Sequence, residues 1–249
     1  MTPAPENESS SPTHGAAVII ETVRVIVVTG IAYGVVVVGI GSRLAMLLLR
    51  VTSPDRVIGI RSDDDFVIGR FTLAGTYSLL ALGAMVGIIG VGAYLLVASR
   101  LLGPVWFRHL TVGLASGAVV GSMLVHASGV DFTQLKPKWL AISLFVLLPG
   151  VFGTFIGPAV KAVQRNDSWT ARGRRRWLVP TVAIACFPPV IPMVIVAAVI
   201  ASLIIVFGNN RSLTEVRSTR TFGILIRAAW LTVAAAGLAA LVNDIGQLT

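Results

Sequence analysis

The chain has 249 residues, 55% of them apolar and only 12% charged, with a mean hydropathy of +0.86, whereas a soluble domain carries about 25% charge. These figures exclude a disordered chain, a disulfide-stapled secreted module (Cys186 is the only cysteine) and a sizeable water-soluble domain, and they predict an integral membrane protein. The net charge of +9 points to membrane topology and not to nucleic acid, because Lys and Arg gather in short segments between apolar runs.

Residues 1–15 are rich in Pro, Ser and acid and predict a disordered polar tail. Glu6, Glu8 and the length of the apolar run that follows argue against a cleaved signal peptide, so the first span is expected to stay in the mature protein. A helix needs about 20 apolar residues to cross ~30 Å of hydrocarbon. Six stretches satisfy this: 25–49, 71–98, 110–127, 139–160, 178–207 and 222–242. The expected fold is therefore all-α, a bundle of six transmembrane helices forming one transmembrane domain over residues 16–249, with loops too short for a separate catalytic domain. Trp106, Trp139 and Trp177 stand at the starts of spans, where an amphipathic ring prefers the headgroup boundary.

Between the first two spans, residues 56–70 read RVIGIRSDDDFVIGR, two β-prone runs around a polar turn, which predicts a small surface β-hairpin. Asp63, Asp64 and Asp65 at its tip offer hard oxygen ligands. A divalent site needs about six oxygens in a fixed arrangement, so a solvated turn is the expectation. The fifth stretch contains Pro180, Pro188, Pro189 and Pro192. It reads either as one kinked span or as a re-entrant hairpin turning at residues 188–192. With six spans, Lys and Arg tie at nine on each side, and the dense cluster of residues 161–177 tips the N-terminus to the cytoplasm. The re-entrant alternative moves three basic residues across and makes the count twelve to six.

Small residues four apart allow close helix approach. Gly30 and Gly34, Gly83 and Gly87, and Gly153 and Gly157 form such pairs, and Gly113, Gly117 and Gly121 form a stripe on the third span. That stripe suits either the centre of the bundle or a second protomer or membrane-protein partner. The segment around Ser116-Gly117 resembles the serine segment of rhomboid intramembrane proteases. That chemistry requires a His from a later span, and the only histidines are His14, His109 and His126. The glycines read better as packing. Zinc, P-loop and nucleophile-elbow motifs are absent, so no cofactor or metal is expected.

Charges inside spans carry the most information. With six spans, Arg43 and Arg227 approach one face, which also holds Asp63, Asp64, Asp65, His126 and Asp131. These seven are the candidate ligand-binding residues, either as a salt-bridge network or as a shallow pocket for a lipid phosphate or a carboxylate. The re-entrant topology would send Arg227 to the opposite face. Arg172, Arg174, Arg175 and Arg176 are expected to meet anionic lipid headgroups.

Three strings, Gly41-Ser-Arg43-Leu-Ala-Met46, residues 64–73 (DDFVIGRFTL) and His126-Ala-Ser-Gly-Val-Asp131-Phe132, resemble recurrent strings in an uncharacterised family of multi-pass bacterial integral membrane proteins. The resemblance covers residues 30–150 and implies a bacterial plasma membrane location, and nothing about chemistry. The expected role is non-enzymatic, structural or partner-binding. The alternative is a transporter or channel for a small solute or anion using Arg43 and Arg227. A third reading, a lipid-acting enzyme, would use His126 or Asp131 as base.

Overall fold

The computed structural model describes residues 12–54, 57–61, 71–98, 101, 103–125, 129, 132, 134–165, 167–208 and 220–248. The described helices are α1 (Pro12–Tyr33), a π-helical segment (Gly34–Ile40), α2 (Gly41–Thr52), α3 (Leu73–Val97), α4 (Val105–Leu124), α5 (Lys138–Gln164), α6 (Arg175–Cys186), α7 (Ile191–Gly208) and α8 (Arg220–Leu248). Local chemistry sets several of their ends. Thr72 is extended, and its hydroxyl accepts the Gly75 amide at 3.1 Å, capping α3. Pro104 and Pro137, both extended, precede α4 and α5.

The six-span expectation is corrected. Among the described residues four helices are long and apolar enough to cross a membrane, Gly15–Thr52, Leu73–Val97, Lys138–Gln164 and Arg227–Leu248, and a fifth is reached only by joining α6 to α7. The predicted third span is a helix, α4, but Arg108, His109 and its glycines and serines dilute its hydropathy below theirs. The predicted fifth span is broken. The chain turns by 106° between α6 and α7, where Pro188 and Pro189 lack the amide donors a continuous helix needs. Tyr77 stabilises the break: its hydroxyl donates to the Cys186 carbonyl at 3.2 Å, its ring stacks on Phe187, and Val190 is fully buried in the core.

The surface β-hairpin is not supported either, since no strand occurs among the described residues. Residues 57–60 instead form a tight turn through Val57 and Ile60 amides bonded to the Pro54 and Val57 carbonyls, and Gly59 (φ +88°) takes its left-handed position. Residues 62–70 lie outside the described residues. Residues 12–15 of the expected tail are helical; residues 1–11 are outside the description.

The helix interfaces are built on glycine. α1 with its π segment crosses α3 so closely that a Cβ on Gly87 would lie 2.8 Å from the Gly34 Cα and collide with the Gly30 carbonyl. A Cβ on Gly83 would lie 2.7 Å from both the Gly34 carbonyl oxygen and the Gly39 amide nitrogen. The second interface joins α4 to α5. Gly113 faces Thr154 and Gly150, Gly117 faces the Val146 carbonyl and Gly150, and Gly121 faces Val146. All three glycines are buried, and the stripe packs against α5 within the chain. Phe152 ties the two interfaces together, stacking on Tyr33 at 5.1 Å between centroids and filling the space over Gly90.

These contacts define two ends. At the proximal end lie the first turns of α1, the end of α5 and the start of α6. At the distal end Ser53 bridges to Lys136, accepting its amide at 2.9 Å and donating to its carbonyl at 3.1 Å, while the Lys138 ammonium donates to the Leu248 carbonyl at 2.8 Å. The last helix, α8, therefore runs parallel to α4, with Gly237 against Val119 and its C-terminus at the distal end. Only 6% of its apolar window is buried.

A methyl group at Gly87 must force two backbones apart, whereas Gly92 has nothing within 4 Å of its Cβ position. Gly87→Ala is expected to lower stability in mild detergent by about 1–3 kcal/mol, and Gly92→Ala to leave it unchanged or raise it slightly. Thermal unfolding of the two variants checks this.

Candidate functional site

Of the seven residues of the predicted binding face, the structure describes two, Arg43 and Arg227. Asp63, Asp64, Asp65, His126 and Asp131 lie outside the described residues. Arg43 is half-buried near the distal end, its guanidinium 5.5 Å from the Phe71 ring centroid. It precedes Leu49 by about 9 Å of helix, and Leu49 shares a distal cluster with Leu241 and Leu248. Arg227 sits 14 residues before Leu241 and 21 before Leu248 on α8, so along the helix it lies about 20–30 Å from these two members of the cluster, toward the proximal end. Along the helices Arg43 lies nearer the distal cluster than Arg227 does.

The polar constellation that the structure does form is at the proximal end, around Arg24. Its side chain is 4% exposed, and it is the one charged residue that is buried among the described residues. Its Nε and Nη2 donate to the Glu21 carboxylate, the shortest at 2.6 Å. Nη2 also donates to the Val163 carbonyl at 3.2 Å, and Nη1 to the Thr170 carbonyl and hydroxyl at 3.4 and 3.3 Å. Arg176 donates to the other Glu21 oxygen at 2.8 Å. Glu21 thus bridges two guanidinium groups, and the network clasps α1, the last turn of α5, the connector and the first turn of α6. With its charge countered and its donors occupied, Arg24 acts as a structural clasp.

Sequence reading counted Arg24 as a loop charge and did not single out Glu21. The signal was an acid and a base three apart at the mouth of an apolar run, neighbours on one helix face. Ser53, Tyr33 and Tyr77 were missed as well; a lone hydroxyl in an apolar sequence does not announce which carbonyl it will meet. Tyr33 donates to the Val151 carbonyl at 3.2 Å.

The connector carries most of the remaining charge. Arg165 makes a two-pronged pair with Asp167 at 3.0 and 2.7 Å, and that hydrogen bonding holds the Asp167 carboxyl below the usual carboxylate range. Arg172, Arg174 and Arg175 are exposed, as are Trp169 and Trp177. Ser116, the residue resembling a rhomboid nucleophile, packs its hydroxyl against Gly153 of α5. Among the described residues no three His, Cys, Asp or Glu side chains gather as a metal site would require.

Removing the carboxylate leaves Arg24 buried without its counter-charge. Glu21→Gln is expected to cost about 1–3 kcal/mol and to speed tryptic cleavage of the connector. Arg165→Gln, which breaks only an exposed pair, is expected to leave the melting temperature unchanged. Melting curves with limited proteolysis in detergent separate the two.

No family model matches the sequence, and neither the curated proteins nor the solved structures contain a match, so the resemblance over residues 30–150 gains no support.

Proposed function

We propose that the chain is a multi-pass protein of the bacterial plasma membrane whose role is structural or partner-binding, without chemistry of its own. The observation that carries the membrane reading is the surface. Large apolar side chains are exposed along every long helix, among them Leu44, Leu47, Ile89, Leu114, Phe155 and Leu231, at 54–66%. Water would penalise such a surface heavily, and lipid does not. The non-enzymatic reading is supported by the use of Arg24, Glu21, Ser53, Tyr33 and Tyr77 in joins between helices.

Arg43 and Arg227 lie at different levels of the bundle, which lends an anion carrier no support. The same geometry favours a definite orientation. With α8 beginning at Arg220 and ending at the distal end, the connection that leads into it is read as proximal, which counts twelve Lys and Arg there against six. The proximal end and the N-terminus are then cytoplasmic, and the C-terminal end of α8 faces outward.

Two measurements test this. In a Cys186→Ser background, a membrane-impermeant maleimide is expected to label Gln247→Cys in intact cells and Ser168→Cys only after permeabilisation; labelling of both from one side contradicts the topology. Native mass spectrometry from lipid nanodiscs is expected to recover a stoichiometric partner or homo-oligomer. Recovery of monomer alone contradicts the partner-binding role.

A further inference from the structure

We propose that the connector between α5 and α6 is a docking surface for anionic phospholipid, with Arg172, Arg174 and Arg175 holding the headgroup phosphates and Trp169 and Trp177 fixing its depth. The inference rests on the membrane reading above and specifies a lipid partner for the proximal face. Residues 161–177 contain six basic residues and one acid. Lys161 belongs to the last turn of α5, and the structure divides the five arginines into two groups. Arg165 is matched by Asp167, and Arg176 by Glu21 at 2.8 Å. Arg172, Arg174 and Arg175 make no ion pair with an acid among the described residues, and all three are exposed. Arg176, expected from sequence to meet lipid like its neighbours, is committed to the clasp instead.

The three remaining guanidinium groups sit at a sharp reversal. Gly173 adopts φ +52°, a left-handed conformation that side chains rarely take, and it separates Arg172 from Arg174. Arg175 lies over the Trp169 ring, 5.3 Å from its centroid. Stacking uses the face of the guanidinium and leaves its edge, where the N–H donors lie, available to phosphate oxygens. Trp169 and Trp177 are 62% and 58% exposed, and indole favours the boundary between hydrocarbon and headgroups. The clasp around Glu21 and Arg24 holds this connector against α1 and α5, so the cations are presented from a fixed base. Exposed indoles beside unmatched arginines, at the edge of apolar helices, fit a lipid headgroup better than a soluble acidic ligand, which would have no use for the rings.

The test uses the purified full-length chain in nanodiscs of equal phosphatidylglycerol and phosphatidylcholine with matched acyl chains, followed by native mass spectrometry of retained lipid. Each guanidinium near an anionic surface contributes roughly a fivefold preference. Wild type is expected to retain phosphatidylglycerol at least about fivefold over phosphatidylcholine, and Arg165→Gln to do the same. The triple variant Arg172→Gln, Arg174→Gln, Arg175→Gln is expected to fall to near equal retention while its melting temperature stays at the wild-type value. The proposal is overturned if wild type shows no preference, if the triple variant keeps it, or if millimolar inorganic phosphate displaces the lipid and so identifies a soluble anion as the ligand. Recovery of the chain in the soluble fraction of lysed cells, without detergent, would instead remove the membrane reading itself.

Discussion

The close backbone approach between α1 and α3 is the constraint from which the rest of the molecule follows. In the proposed lipid setting there is no hydrophobic gain in bringing two apolar helices together, because lipid tails are as apolar as Leu, so contact must come from dispersion and fit. Gly30, Gly34, Gly83 and Gly87 remove the side chains that would hold the helices apart, and backbone meets backbone. The π segment over Gly34–Ile40 lies within this contact, and Gly39 packs against Leu80 there. The α4–α5 interface repeats the device with Gly113, Gly117 and Gly121, and Phe152 locks one interface to the other through Tyr33 and Gly90.

Two polar clasps close the ends of this apolar body. At the proximal end Arg24 and Glu21 join α1 to α5, the connector and α6; at the distal end Ser53 and Lys138 join α2, α5 and α8. Their placement at the two ends suits a lipid-solvated bundle, since polar side chains are least costly there. Between them the only sharp interruption among the described helices is the turn at residues 187–190, where the Val190 amide bonds to the Phe187 carbonyl and Tyr77 satisfies the Cys186 carbonyl in its place. That turn leaves the fifth segment as two short helices, and α8 beyond it reaches the distal end with its C-terminus.

Much of the architecture was legible in the sequence. Apolar length located every long helix, the tryptophans at 106, 139 and 177 marked helix starts and are exposed there, and the glycine pairs named the surfaces that meet. What sequence could not rank was Pro188-Pro189: a kinked span and a reversal have the same composition, and only packing against Tyr77 and the core distinguishes them. The approach of Arg43 and Arg227 to one face follows, in the sequence, from the parity of six spans alone, and the other five residues assigned to that face lie outside the described residues. The hairpin failed for another reason. Val57, Ile58 and Ile60 have β-prone side chains, but strands need partners, and here local turn bonds and the distal core claim this segment. The Arg24 clasp was obscured because a charge next to an apolar run reads as a loop residue until its acceptors are seen.

On this account function lies in what the bundle presents: apolar helix faces to lipid, a barely buried α8, and a cationic, tryptophan-edged connector at the proximal end. The central claim is the glycine-mediated contact on which that bundle is built. Electron cryomicroscopy of the chain in lipid nanodiscs measures it directly, as the interaxial separation of α1 and α3 at the level of Gly34 and Gly83. The account predicts a separation below the ~8–10 Å typical of packed helices. A separation of about 10 Å or more, with side chains or lipid between the two helices, would contradict it.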